Sequence, residues 1–373
     1  MPLLGNRSES RARHPPAITP VVHGVRGLPV RYLSLDGIRQ SSEEPRMVAA
    51  YHHVTPVLGG HRGAATPVSF ELFPPRSDVA ALALGRTIDR LAEVNPAFLS
   101  VTFGAGGSSR ERSLTVLRYI LEHTTVEPMA HLTCVGSSHL EANHLVRQFL
   151  DAGITSFLAL RGDPPVGVTG PAVLGDLGSA AELVQLIHRV QEEREPFSQQ
   201  PVPGAARGAR IARRRRPERV AVAAFPNGHP RARGSSAEID SLLAKQVAGA
   251  TLAITQLFFR ADDYLNFVDK AKTAGVTIDI VPGLMPATSP ARLSRIAELA
   301  GEEIPAELAI ALEIEPNEQA QHDIGVTFIA DIAQQVLAGG APGLHLYTFN
   351  QHRAVLGVLE QLGRMPSPAT ATF

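Results

Sequence analysis

Short apolar runs alternate with amphipathic stretches along the chain from residue 67 onward. The runs are rich in residues that favour β-strands, and they lie at 67–73, 98–103, 129–135, 154–161, 219–226, 252–258, 278–286 and 343–349. The stretches between them place apolar residues at helical spacing, with examples at 79–94, 108–123, 139–152, 179–193, 236–249, 261–274 and 320–338. Strands that alternate with helices predict parallel βαβ units. Eight such strands favour a closed (β/α)8 TIM barrel, an α/β fold, over an open doubly wound sheet.

Two segments depart from this rhythm. Residues 1–65 are rich in Arg, Pro, Gly and Ser without a sustained period, so we predict a disordered extension there. Residues 194–218 are rich in proline and glycine and include four consecutive arginines, which predicts a flexible basic insertion before the fifth strand. The predicted catalytic barrel therefore spans residues 66–365, and residues 366–373 form a tail.

Composition excludes some classes of protein and favours others. The formal net charge of −1 gives the whole chain no electrostatic bias toward nucleic acids or membranes. No apolar stretch reaches the ~20 residues of a membrane helix, and no apolar segment of the kind found in signal peptides follows the N-terminal arginines. The single cysteine, Cys134, cannot form an internal disulfide, which fits a reducing compartment, so we expect a cytoplasmic protein. Its apolar neighbours favour a buried structural thiol over a nucleophile.

Candidate functional residues collect where the predicted strands end. In a (β/α)8 barrel the carboxyl ends of the strands form the active site. The polar and aromatic residues at these ends are Glu71, Thr102, His131, Thr133, Cys134, Arg161, Asp163, Phe225, Asn227, His229, Gln256, Tyr347 and Asn350. These residues come from seven different strands, so a shared functional site explains their position better than chance does.

Glu71 is the sharpest single candidate. Alternation along the first strand puts Ser69, Glu71 and Phe73 on the face that would line the barrel. Burial disfavours the charged form of a carboxyl, so Glu71 could stay protonated and act as a general acid. The structural alternative is an ion pair with Arg161. We expect the functional explanation to hold.

Two further features leave alternatives open. The glycine-rich turn at 102–109 leads into a predicted helix, where it could cradle a phosphate or could be an ordinary loop capped by Ser108 or Ser109. His131 has no partner at the spacing of a metal site, so we expect no bound metal. It could be a hydrogen-bonded core histidine or a cofactor contact.

Eight motifs in order resemble the 5,10-methylenetetrahydrofolate reductase family. They read SFELFPPR, LSVTFGAGGSSRERS, AHLTC, ALRGDPP, VAAFPNGHP, AGATLAITQLFF, DIVPGLMP and PGLHLYTFN, and the resemblance covers roughly residues 67–363. It is to the bacterial type, which consists of the catalytic barrel alone. The resemblance implies a (β/α)8 barrel that uses FAD, and NADH or NADPH, to reduce methylenetetrahydrofolate to 5-methyltetrahydrofolate for methionine synthesis.

The resemblance also implies roles for individual residues. Glu71 matches the general acid, and Asp163 matches a catalytic aspartate near the flavin and the pterin. The residues that fall where the family binds FAD are Thr102, His131, Arg161, Gly162, Asp163, Phe225, His229 and Lys245. Those implied to bind substrate are Gln256 and Tyr347. The family further implies small-molecule substrates and a homo-oligomer.

The chain departs from the family pattern on the phosphate side of the expected flavin site. Phe225 stands where a tyrosine is common, and Ser241 and Ala244 stand near Lys245 where many relatives carry larger polar or basic residues. Gln351 stands where many relatives have arginine. We therefore predict weaker retention of FAD.

Two alternative functions remain at this stage. One is a divergent barrel oxidoreductase with weak or no flavin, or a related barrel flavoprotein such as proline dehydrogenase. The other is a non-catalytic protein that binds polyanions through the arginines of the insertion. No aromatic residues interleave those arginines, so we favour a solvated loop over a nucleic-acid site.

Overall fold

The computed structural model describes residues 66–103, 107–162, 175–194, 218–229 and 235–365. The predicted disordered extension at 1–65 and the tail at 366–373 lie outside the described residues, as does almost all of the predicted insertion. Those three assignments stay predictions.

The described strands form a single parallel sheet. They are β1 (Val68–Leu72), β2 (Phe98–Val101), β3 (Pro128–Thr133), β4 (Ser156–Leu160), β5 (Val220–Ala224), β6 (Leu252–Thr255), β7 (Asp279–Val281), β8 (Gly283–Leu284) and β9 (Leu344–Tyr347). Their order is β7-β6-β5-β4-β3-β2-β1-β9-β8. Only Pro282 separates β7, which pairs with β6, from β8, which pairs with β9. These two pieces are halves of one barrel strand, so the sheet closes around eight positions and the predicted (β/α)8 barrel is confirmed.

Side chains complete the closure where Pro282 divides the seventh strand position. Proline has no N–H for the strand ladder. The Gly283 N–H donates to Thr255 Oγ1 at 2.8 Å, and the Tyr347 hydroxyl donates to the Thr255 carbonyl oxygen at 2.8 Å. A Cβ at position 283 would lie 2.2 Å from the Thr255 oxygen, so the close approach requires glycine. The seam where β6 meets β8 and β9 therefore depends on two side chains as well as on backbone.

The helices surround the barrel. They are α1 (Asp78–Ala92), α2 (Gly107–His123), α3 (His139–Asp151), α4 (Ala180–Arg194), α5 (Ser235–Val247), α6 (Ala261–Thr273), α7 (Pro290–Ala300), α8 (Ala306–Ile314), α9 (Glu318–Ala338) and α10 (His352–Gln361). The three helices α7, α8 and α10 are not among those that the periodicity predicted. They span only nine to eleven residues, a length over which a helical period is weakly expressed. Within the described residues, no helix combines the length and apolar character needed to cross a membrane.

Alternation along the strands divides the core into two layers. Phe70 and Leu72 are fully buried on the outer face of β1, in the cluster that packs the sheet against the helices. The barrel interior is filled by a separate cluster from β2 to β6, formed by Phe98, Met129, Leu158, Ala221, Leu252 and Ile254. The polar residues of the barrel lie beside and above this apolar cluster.

Candidate active site

Glu71 lies in the barrel between two histidines. Strand β1 pairs with β9 so that Ser69 is opposite His345 and Glu71 is opposite Tyr347. The Glu71 residue is only 8% exposed, and its Oε2 lies 3.6 Å from Nε2 of His131 and 3.9 Å from Nε2 of His345. Among the described residues these histidines, and not an arginine, are within ion-pair distance of Glu71. The alternative of an ion pair with Arg161 is therefore not what the structure shows.

His131 on β3 is buried and electrically neutral at physiological pH. Burial lowers its pKa, and so does His345, although the carboxylate of Glu71 acts in the opposite direction. Its Nε2 atom is buried without a hydrogen-bond partner among the described residues. Leaving a polar atom unpaired in this way costs about 1–3 kcal/mol, and such atoms call for a functional explanation. The structure therefore does not support a fully hydrogen-bonded core histidine at this position.

His345 is fully buried and is oriented by Ser69. The Ser69 Oγ atom lies 2.8 Å from His345 Nδ1 and donates to the Leu344 carbonyl oxygen at 3.3 Å. A serine hydroxyl has a single proton, so when that proton goes to Leu344 the proton on His345 must be on Nδ1. Nε2 is then an acceptor facing Glu71. The ring is also fixed by stacking on Phe98 at 5.8 Å between centroids.

The segment that follows Glu71 is tied to the end of the last strand. Thr348 Oγ1 donates to the Glu71 carbonyl oxygen at 2.7 Å. Asn350 accepts from the Phe73 N–H at 2.8 Å and donates to the Phe73 carbonyl at 2.9 Å, so its side chain substitutes for a neighbouring strand. Asn350 adopts a positive φ of 59°, a conformation that asparagine tolerates better than most residues. These bonds fix the direction in which β1 leaves the barrel.

The predicted cofactor residues on β2 and β4 lie at the rim. Thr102 follows β2, and its carbonyl oxygen accepts from Ser113 Oγ at 2.8 Å. Gly162 follows β4 with a φ of 84°, and a Cβ there would lie 2.7 Å from Val135 Cγ1. Only glycine fits both constraints. Arg161, the preceding residue, is half-buried, while Asp163 lies outside the described residues.

The predicted cofactor residues on the fifth strand position form a second group. The Lys245 Nζ donates to the Ala223 carbonyl at 2.9 Å, and burial lowers the pKa of this amine. Phe225 and His229 contact each other edge to face, with centroids 4.8 Å apart. The His229 N–H donates to the Glu238 carboxylate at 3.2 Å. A cationic side chain and an aromatic pair therefore lie together at the end of β5.

The predicted substrate residues follow β6 and end β9. Gln256 Oε1 accepts from the Leu257 N–H at 2.9 Å, which leaves its amide nitrogen without a partner among the described residues. The Tyr347 hydroxyl is engaged with Thr255 in the barrel seam. Burial, followed by the nearby charge of Glu71, raises the pKa of Tyr347 well above its usual value, so it stays a hydrogen-bond donor. Contacts with substrate by either residue stay predictions.

Cys134 has the predicted structural character. It is fully buried, and burial raises its pKa to about 11, which keeps it a thiol at neutral pH. Where side chains are described, no three His, Cys, Asp or Glu residues group closely enough to hold a metal ion. Absence of a metal from the mechanism stays a prediction.

His345 is a site residue that the sequence alone did not predict. Alternation in the run GLHLYTF places His345 on the same strand face as Tyr347, which was a usable signal. The missing information was the pairing of the first strand with the last, because Ser69 and His345 are 276 positions apart. Local patterns do not specify a register over that distance.

The barrel and its site together define a class of protein. A (β/α)8 barrel that holds a buried carboxyl group near the carboxyl end of a strand, in contact range of two buried histidines, has the layout of a barrel enzyme. The sequence model of the methylenetetrahydrofolate reductase family matches residues 61–202 and 209–363. The chain belongs to this family, which makes it an oxidoreductase and confirms the resemblance.

Individual relatives agree with this assignment. The 5,10-methylenetetrahydrofolate reductase of Salmonella typhimurium is 31% identical over 300 residues, which cover 80% of this chain and 91% of the relative. The Escherichia coli enzyme of the same name is 30% identical over the same shares. Methylenetetrahydrofolate reductase (NADH) 1 of Arabidopsis thaliana is 34% identical over 309 residues, which cover 80% of this chain but 48% of the plant protein.

A solved structure shares the fold. It is described as an uncharacterized protein from Clostridium thermocellum that binds two copies of 5-methyl-5,6,7,8-tetrahydrofolic acid. The match has a TM-score of 0.52 at 13% identity and covers 80% of this chain and 94% of the other. At that identity the likeness supports the barrel fold alone.

Proposed function

We propose that this protein catalyses the flavin-dependent reduction of 5,10-methylenetetrahydrofolate to 5-methyltetrahydrofolate, with NADH or NADPH as the electron donor. The observation that carries the proposal is the position of Glu71, buried in the barrel between the Nε2 atoms of His131 and His345. Family membership supplies the reaction class, and this carboxyl supplies the proton that the reaction needs.

The residues around the rim fit an FAD molecule. His131 Nε2 is a buried polar atom without a partner among the described residues, as expected for an atom that a ligand would satisfy. Lys245 uses one of its three donors on Ala223, so it can still hold an anionic phosphate. We assign FAD binding to Thr102, His131, Arg161, Gly162, Asp163, Phe225, His229 and Lys245. When bound, FAD would carry hydride from the nicotinamide to the methylene carbon of the folate.

Glu71 is assigned the proton transfer. The five-membered ring of methylenetetrahydrofolate opens to a reactive iminium when its leaving nitrogen is protonated, and Glu71 Oε2 would hold that proton. Burial keeps His131 neutral, so it places no positive charge beside the carboxyl. His345, oriented by Ser69, presents its Nε2 lone pair to the same oxygen from 3.9 Å. The two imidazoles thereby border the acid from two sides.

Substrate orientation is assigned to residues on neighbouring strands. The amide nitrogen of Gln256, which has no partner in the part of the chain that the structure describes, is available to a polar edge of the pterin, and Asp163 is proposed to contact the same ring. Tyr347 lies next to Glu71 in register and would form part of the wall. The barrel interior below is apolar, so it would exclude water from the reacting atoms.

The biological setting follows from the same proposal. The bacterial relatives align over about nine-tenths of their length, which supports residues 66–365 as the catalytic barrel. We propose a cytoplasmic homo-oligomer that acts on small molecules and supplies methyl groups for methionine synthesis. Residues 1–65 and the 194–218 insertion are proposed to be dispensable for catalysis.

A visible spectrum of the pure protein tests the function directly. We expect flavin absorbance that bleaches on adding NADH or NADPH and returns on adding methylenetetrahydrofolate. Turnover with no flavin present would instead support a divergent oxidoreductase. A protein that binds flavin but is not reoxidised by the folate would contradict the proposed substrate.

A further inference from the structure

Arg292 is a half-buried cation without a carboxylate partner among the described residues. It lies in the first turn of α7, whose N-cap Ser289 accepts from the Arg292 N–H at 3.3 Å. Its guanidinium carbon is 5.5 Å from the centroid of the Phe349 ring, and Nη1 donates to Gln351 Oε1 at 2.9 Å. Burial lowers its pKa without an opposing acid. Two contacts therefore fix the guanidinium, and neither neutralises its charge.

A neighbour on the same helix shows what an ordinary surface arginine does here. Arg295 is exposed, and its Nη1 donates to Glu298 at 2.7 Å. Surface arginines elsewhere, such as Arg90 with Glu93, also pair with nearby carboxylates. A partly desolvated arginine without such a partner is costly unless an anion arrives to use it.

The unpaired guanidinium is at the mouth of the proposed active site. Phe349 stacks on Phe73, with centroids 6.0 Å apart and an interplanar angle of 23°. Phe73 is two residues beyond Glu71, and Phe349 is two residues beyond Tyr347, the register partner of Glu71. The Phe73 and Phe349 rings therefore connect the segment that carries Glu71 to Arg292, at the open end of the barrel.

We propose that Arg292 binds the glutamate carboxylates of the folate substrate and so determines preference for the glutamyl form. This inference rests on the proposed function. A reduced folate is a pterin at one end and a glutamate with its carboxylates at the other. With the pterin at Glu71, the glutamate tail extends toward the mouth of the barrel, where Phe73 and Phe349 lie. The planar guanidinium, held by Gln351, matches a carboxylate in a two-bond geometry that lysine cannot reproduce.

The test compares substrates with and without the tail. Wild type, Arg292→Gln, Arg292→Lys and the control Arg295→Gln are assayed with 5,10-methylenetetrahydrofolate and with 5,10-methylenetetrahydropteroate, which lacks glutamate. For Arg292→Gln we expect KM for the glutamyl substrate to rise about tenfold or more, with a smaller change in kcat. KM for the pteroate should stay at the wild-type value. Arg292→Lys should recover part of the loss, and Arg295→Gln should match wild type.

Binding measurements separate this inference from the proposed function. Calorimetric titration with 5-methyltetrahydrofolate and 5-methyltetrahydropteroate reports the tail contact without turnover. A wild type that binds the glutamyl form through Arg292 but never reduces the methylene substrate would overturn the function and support the contact. Equal weakening of both ligands by Arg292→Gln, no weakening of either, or an effect on NADH or NADPH alone would overturn the role of Arg292.

Discussion

Glu71 Oε2 and His131 Nε2 face each other at 3.6 Å, just beyond the length of a direct hydrogen bond. Their strands, β1 and β3, are separated by β2, so the approach is set by barrel curvature and not by strand pairing. His131 Nε2 has no hydrogen-bond partner among the described residues, and His345 Nε2 likewise has none. Two unsatisfied imidazole nitrogens beside one carboxyl describe a site that is completed by its ligands.

Replacing Glu71 with glutamine should separate the two half-reactions. Glu71→Gln keeps the size of the side chain but cannot release a proton to the folate nitrogen. Flavin reduction by NAD(P)H should stay close to wild type, while the folate half-reaction should fall by about 10²-fold or more. Stopped-flow measurement of each half-reaction checks this. An equal loss in both would assign Glu71 a structural role.

The Ser69 hydroxyl should affect catalysis through His345. Ser69→Ala leaves His345 Nδ1 buried without its 2.8 Å partner, at a cost of about 1–3 kcal/mol in unfolding free energy. The rate of the folate half-reaction should fall, because the imidazole facing Glu71 loses its fixed tautomer. Ser100→Ala is the matched control, since Ser100 is also buried and, among the described residues, donates to the Phe70 carbonyl oxygen at 3.5 Å. Equal rates in both variants would contradict the positioning role.

His131 should make the folded protein less stable in mild acid. Its pKa in the folded state lies below the ordinary value of 6.5, so the unfolded chain takes up the proton first as the pH falls through that value. Stability from this group is complete above the unfolded pKa and is lost as the pH drops toward the folded one. In His131→Gln the decline in unfolding free energy between about pH 7.5 and 5.5 should be smaller than in wild type. Parallel curves from urea titrations would show that His131 does not contribute.

Flavin retention should be incomplete and should respond to a new charge on α5. Ala244 is exposed and directly precedes Lys245, the cation assigned to the FAD phosphates. A charge-assisted hydrogen bond contributes about 1.5–3 kcal/mol, so Ala244→Arg should slow flavin loss about tenfold or more. Ile314→Arg adds the same charge to an exposed site on α8 and should have no effect. Absorbance after dialysis measures the outcome. Stoichiometric FAD in dialysed wild type would contradict weak retention.

Replacing each of two tyrosines with phenylalanine should separate an effect on stability from an effect on catalysis. Tyr347→Phe removes the donor to the Thr255 carbonyl, and Tyr264→Phe removes a 2.7 Å bond to the Ile280 carbonyl on the outer side of β7. Each should lower the unfolding free energy by about 1–3 kcal/mol. Only Tyr347→Phe should also slow the folate half-reaction, because Tyr347 is the register partner of Glu71. Normal turnover in Tyr347→Phe would limit the hydroxyl to stability.

Sequence patterns predicted the barrel but not all of its site. Alternation placed Glu71 beside Ser69 on one strand face, and counting apolar runs gave the right number of barrel positions. The run at 278–286 was predicted as one strand, whereas Pro282 divides it, and a central proline could have revealed this. The arrangement of His345 and of Arg292 depends on contacts between distant segments, such as Arg292 with Phe349. Those contacts are set by tertiary packing, which local periodicity does not encode.

The seam at Thr255 gives the barrel an unusual sensitivity to mutation. Elsewhere around the described ring, neighbouring strands are joined by backbone hydrogen bonds, which survive almost any change of side chain. At the level of Pro282, Thr255 Oγ1 on β6 accepts from the Gly283 N–H of β8, and the Tyr347 hydroxyl of β9 donates to the Thr255 carbonyl oxygen. One missense change at Thr255 or Tyr347 can remove one of these links while β7 stays paired with β6 and β8 with β9 through the backbone. Inherited variation can therefore loosen the ring at this one level, directly beside the catalytic acid.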